Sequence, residues 1–178
     1  DDIALSAGLS KGAVYHHFPS KRKLFLSLID FWEDSFLPIF YQKDYKNLPA
    51  SKVLKDLAHE IINIFNNKKF IFLAELEIWS LANRDKEIRD RTKVLYNKML
   101  NHLENIFKNA AENGEYKNVD PRMAAMAVMT SMQGIIWFSI FEHNSFTAKD
   151  YIDEVMTFII AGFEKSTKSN NALKEVNA

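Results

Sequence analysis

The stretch Asp1–Lys23, DDIALSAGLSKGAVYHHFPSKRK, decides how the rest of this chain is read. A short helix runs from the start to Ala7, and Gly8 ends it, because glycine takes the left-handed conformation that closes a helix at little cost. Ser10 is a strong N-cap residue type, so a second helix runs from Ser10 to Phe18. Pro19 breaks the chain, and Ser20 caps a longer helix that continues to about Tyr41. Ile3, Ala4 and Ala7 share one face of the first helix. Leu9, Val14 and Phe18 meet them from the turn and the second helix. Two short helices joined at a tight glycine turn are the geometry of a helix-turn-helix, whose second helix enters the major groove of DNA.

Charge supports that reading by its distribution. Lys plus Arg is 23 and Asp plus Glu is 23, so the whole chain is neutral. Between Ser10 and Lys23, however, lie Lys11, Lys21, Arg22 and Lys23 with no acid among them. A local basic patch in a neutral chain is an electrostatic footprint that a net charge conceals. The N-terminus of the helix that starts near Lys21 presents free N–H groups and partial positive charge, a natural place for phosphate.

Outward from this head, apolar residues recur at helical spacing, and no useful segment alternates with period two. Leu54, Leu57, Ala58, Ile61, Ile62 and Phe65 make the stripe of a helix over about 49–67. Residues 70–83 are apolar on most sides, which predicts burial all round. A long helix over about 86–113 carries Ile88, Leu95, Met99, Leu103, Ile106, Phe107 and Ala110, and Gly114 closes it. Asp120-Pro121 is a helix start, and Thr147 with Asp150 caps a last helix to about Lys165. The fold class is all-α. We divide the chain into a DNA-binding head with its connecting helix (1–43), a helical ligand-binding and dimerisation domain (44–166) and a polar, frayed tail (167–178).

Met123 to Phe141 carries no charge and is long enough for a membrane span. Thr130, Ser131, Gln133 and Ser139 interrupt it and no Lys/Arg cluster flanks it, which argues for a core helix and no membrane. Such a helix has two apolar faces. One packs on its own subunit, and the other pairs with a second copy. With the last helix it makes a twofold interface in a homodimer, through Met129, Met132, Ile136, Val155, Phe158, Ile159 and Gly162. A monomer with a large central helix is the alternative.

The run Ile3-Ala4, Ala7-Gly8-Leu9-Ser10, Gly12, Val14-Tyr15, then His17-Phe18-Pro19-Ser20-Lys21, resembles the DNA-binding signature of the tetracycline-repressor (TetR) family almost residue for residue. The resemblance covers about the first 30 residues; beyond them it is one of architecture. It implies a double-stranded DNA operator as partner. Ser10, Lys11, Gly12 and Ala13 would open the recognition helix, with Tyr15 and His16 on bases or phosphates. His17 would touch the backbone, where the family usually has tyrosine, and would add a mild pH dependence. Lys21 would bind phosphate. The resemblance also implies a helix ahead of the helix-turn-helix, which this chain starts too late to contain.

The larger part is then expected to hold a small hydrophobic ligand. Phe72, Glu75, Trp79, Tyr96, Met99, His102, Gln133 and Trp137 are the candidate lining, an apolar wall with a few polar anchors. No catalytic motif stands out: there is no Cys, no nucleophile elbow and no phosphate loop. No cofactor or metal is expected, because His16 and His17 are adjacent and His59, His102 and His143 are scattered. Nothing resembles a secretion leader, so a cytoplasmic protein is expected. A helical protein-interaction module without DNA binding is the alternative reading.

Overall fold

The computed structural model describes residues 2–41, 48–116, 119–141 and 145–165. The regular elements among them are helices: α1 (Asp2–Ser6), α2 (Lys11–His17), α3 (Lys21–Tyr41), α4 (Ala50–Asn67), α5 (Phe70–Ala82), α6 (Lys86–Glu112), α7 (Pro121–Gln133), a 3₁₀ turn (Gly134–Ile136), α8 (Trp137–Ile140) and α9 (Ala148–Lys165). The expected boundary at 43/44 and the tail at 167–178 lie outside the described residues.

Local chemistry sets the boundaries. Gly8 sits at φ 65°, and the Leu9 amide reaches back to the Ala4 carbonyl at 2.9 Å, the closure that a left-handed residue permits. Ser10 Oγ accepts from the Ala13 amide and Ser20 Oγ from the Lys23 amide, each at 3.1 Å. Asp120 caps α7 through the Met123 amide at 2.8 Å. Thr147 and Asp150 cap each other reciprocally at the start of α9.

Helix α6, about 40 Å long at 1.5 Å per residue, is the central post. Helices α3, α4, α5 and α7 pack on it, and α9 covers α4 and α7. The core includes Leu54, Leu57, Leu95, Leu103, Phe107, Val128 and Ile152, all essentially removed from solvent. Along one flank α3 and α6 run in the same sense and are bridged by charge. Arg22 pairs with Asp85 and Glu87, Arg91 with Asp30, and Lys98 with Glu33.

Two expectations are corrected. Helix α5 is not buried all round. Ile71, Phe72, Glu75 and Ile78 face inward, whereas Phe70, Leu73 and Trp79 are exposed. The segment 121–140, long and apolar enough to span a membrane, is helical but not α-helical throughout: the 3₁₀ turn at Gly134–Ile136 separates α7 from α8. Tyr151 of α9 lies so close to Gly134 that a Cβ there would stand 2.2 Å from its hydroxyl oxygen. That hydroxyl also donates to the Ser131 carbonyl at 3.0 Å. A side chain that competes for a helix carbonyl tightens the backbone locally, here into a 3₁₀ turn.

Candidate functional site

The head presents its polar side chains outward. Helix α2 has no buried residue. Ser10, Lys11, Gly12, Tyr15, His16, His17 and Lys21 are exposed, and Ala13 is half-buried. Lys11, Tyr15 and Lys21 border one cleft of about 100 Å³ between α1, α2 and the start of α3. Lys21 Nζ lies 5.7 Å from the centre of the Phe25 ring, which steadies its stem. Arg22, in the same basic run, is committed elsewhere. Its Nε donates to Asp85 at 2.6 Å, and Asp85 is also the N-cap of α6. That pairing, led by the hydrogen bond, raises Arg22 above its ordinary range and holds the Asp85 carboxyl below its own.

A second site lies inside the helical body. A narrow cavity of about 30 Å³ is lined by Trp32 and Phe36 of α3, Ile61 of α4, Phe72 and Glu75 of α5, Met99 and Leu103 of α6, and Met129, Met132 and Gln133 of α7. Its aromatic wall is interlocked: Trp32 meets Phe36 with ring centres 4.6 Å apart, and Phe36 meets Phe72 edge-on at 5.8 Å. Gln133 Nε2 donates to Glu75 Oε1 at 3.3 Å, and the Tyr96 hydroxyl donates to the same oxygen. Trp79 Nε1 in turn donates to the Tyr96 oxygen at 2.5 Å. Burial pushes the Glu75 carboxyl up to about 7, although its two hydrogen bonds pull the other way. Burial, and then the Glu75 charge, push the Tyr96 phenol up as well.

The structure therefore brings Phe72, Glu75, Met99 and Gln133 together around one space, with Tyr96 and Trp79 behind Glu75. Trp137 is placed otherwise: it is 58% exposed and packs on Phe141. His102 is not in the lining; burial alone holds its ring below the ordinary imidazole range. Met129, Met132 and Ile136 are buried within their own subunit, so they are corrected from interface to core, two of them to the cavity wall. Val155 and Ile159 are half-buried, while Phe158, at 66% exposure, and Gly162 face outward with Met123 and Met126 of α7. The sequence reading missed Trp32 and Phe36, having treated α3 as a connector. The spacing Ile29, Trp32, Phe36 is an inward stripe that marks them.

A helix-turn-helix on an all-helical body with an internal cavity defines a class of one-chain regulators in which one part meets DNA and the other senses a ligand. The comparisons narrow the class. Residues 1–28 match the family model described as bacterial regulatory proteins, tetR family. Residues 72–163 match that of the BetI-type transcriptional repressor, C-terminal. The chain belongs to the TetR family and is a DNA-binding transcriptional regulator. It is 27% identical over 163 residues to the nucleoid occlusion factor SlmA of Shewanella frigidimarina, covering 88% of this chain and 80% of that one. Among solved structures it is similar to the TetR-family regulator PfmR of Thermus thermophilus (TM-score 0.74, 22% identity, 90% of this chain and 86% of that one). It is also similar to AibR in complex with isovaleryl coenzyme A and operator DNA (TM-score 0.71, 19% identity, 92% and 85%).

Proposed function

We propose that this chain is a cytoplasmic repressor that binds a near-palindromic operator as a homodimer and releases it when a hydrophobic or amphipathic small molecule enters the cavity. Helix α3 carries the proposal. It bears Lys21 at its DNA end and, about 16 Å along at 1.5 Å per residue, Trp32 in the cavity wall. A ligand that displaces Trp32 or Phe36 moves the same rigid helix that positions the head, and a coupling of about 1–3 kcal/mol is enough for regulation. The complex of AibR with both a ligand and operator DNA supports the pairing of the two activities in one such chain. Met123, Met126, Phe158 and Gly162 offer the outward apolar surface for the second copy. We assign no catalysis to the chain.

In the operator complex Ser10, Lys11, Gly12 and Ala13 open the recognition helix, Tyr15, His16 and His17 follow along it, and Lys21 takes a phosphate. Fluorescence anisotropy with double-stranded DNA from the chain's own upstream region tests this. Binding should be steeply salt-dependent. Lys21→Ala should weaken it about tenfold on every bound sequence and flatten the salt slope by about one charge, whereas Tyr15→Ala should also blunt discrimination between sequences. Unchanged affinity in both variants, with the dimer intact, would favour the interaction-module reading.

A further inference from the structure

Among the described residues the cavity lining contains one carboxylate, Glu75, and no Lys, Arg or His. Glu75 is 2% exposed. Both hydrogen bonds it receives go to Oε1, and among the described residues Oε2 accepts none. The contrast with Glu104 is direct, since that carboxylate, between α6 and α7, is shared by Lys108 and Arg122. Burying an ionised carboxylate without a counter-charge is costly; below about pH 7 a proton on Glu75 removes that cost, and above it a cation would. The faces of Trp32, Phe36 and Phe72 suit a cation through their ring quadrupoles.

We propose that the ligand of this cavity is a hydrophobic organic cation, an amine whose ammonium group meets Glu75 Oε2 while its apolar part lies among Met99, Met129 and Met132. The proposal rests on the cavity being the effector site. An anion would set like charge against the ionised Glu75, and a neutral ligand would gain nothing from its charge. The empty space holds about one water, so entry requires the wall to move. Three unbranched methionines are the side chains best able to do so. The surroundings of Glu75 also set a pH dependence. Among the described residues Tyr96 of α6 is its one ionisable neighbour; Trp32 and Phe36 of α3, Ile61 of α4 and Met129, Met132 and Gln133 of α7 carry no charge. With Glu75 pushed up to about 7, a permanently charged ligand should bind more tightly as pH rises through that value.

The test uses the full chain and four probes that share a phenylbutyl tail: 4-phenylbutylamine, 4-phenylbutyltrimethylammonium, 4-phenylbutanol and 5-phenylpentanoate. Calorimetry and tryptophan fluorescence are read on wild type and on Glu75→Gln, with thermal unfolding to establish that the variant folds. The two cations should bind about tenfold more tightly than the alcohol, and the carboxylate weakest, as a charge-assisted contact demands. Glu75→Gln should bring the cations to the level of the alcohol, leave the alcohol unchanged and abolish the rise in trimethylammonium affinity between pH 6 and 8. An alcohol or carboxylate that matches the cations on wild type overturns the cationic ligand and leaves the effector cavity standing. A cation preference that survives Glu75→Gln, or no binding of any probe, overturns both.

Discussion

Helices α2 and α4 flank the same long helix, α3, yet they bury opposite amounts of themselves. No side chain of α2 is buried. On α4, Val53, Leu54, Leu57, Ala58, Ile61, Ile62 and Phe65 all are. The body is thus a close-packed apolar solid, in which each methylene counts. The head is held instead by caps, by the closure at Gly8 and by its attachment to α3, with Arg22 fastened to the start of α6. A regulator needs this contrast. The part that senses must transmit small displacements, which a dense core does, while the part that reads DNA must keep its polar side chains outward.

The largest way to break the contrast is to hollow the body. Leu57→Ala removes a fully buried side chain and should cost about 2–5 kcal/mol in urea denaturation, whereas Val14→Ala in the half-buried head should cost far less. Comparable losses would mean that the head is as tightly packed as the body.

A smaller effect comes from Glu75. Its carboxyl ionises near 4.5 when unfolded and at about 7 in the folded chain. Between those values the native state holds a proton that the unfolded state has lost, so stability falls as pH rises from about 4.5 to about 7 and levels off above. Wild type should lose about 1–3 kcal/mol relative to Glu75→Gln between pH 5 and pH 8. Parallel pH profiles for the two proteins would move the source of any such loss away from Glu75.

Smallest in global stability is Arg22→Ala, because exposed ion pairs contribute little. The urea midpoint should barely move. Amide exchange in residues 2–17 should nevertheless quicken while α4 and α6 stay protected. Equal quickening in α6 would show that the pair braces the body rather than the head.

The head was legible in the sequence because its signals are local. Gly8, Ser10, Pro19 and Ser20 each act on their own few residues, and each stands where the structure uses it. Asp120 and Thr147 were legible for the same reason. The inner site was legible only in part. Helical spacing reveals an apolar face but not its partner, so Met129, Met132 and Ile136 were read toward a second copy instead of inward. The turn at Gly134 depends on Tyr151, and the role of Arg22 on Asp85; both partners are distant in sequence. No pattern within one helix carries that information.

The bare packing of α2 also has a meaning for descent. Exposed positions tolerate most exchanges within about 0.5 kcal/mol, so Lys11, Tyr15, His16 and His17 can vary while the fold persists. Duplicated copies of such a gene are free to drift toward new operators one side chain at a time, with the body and its cavity inherited intact.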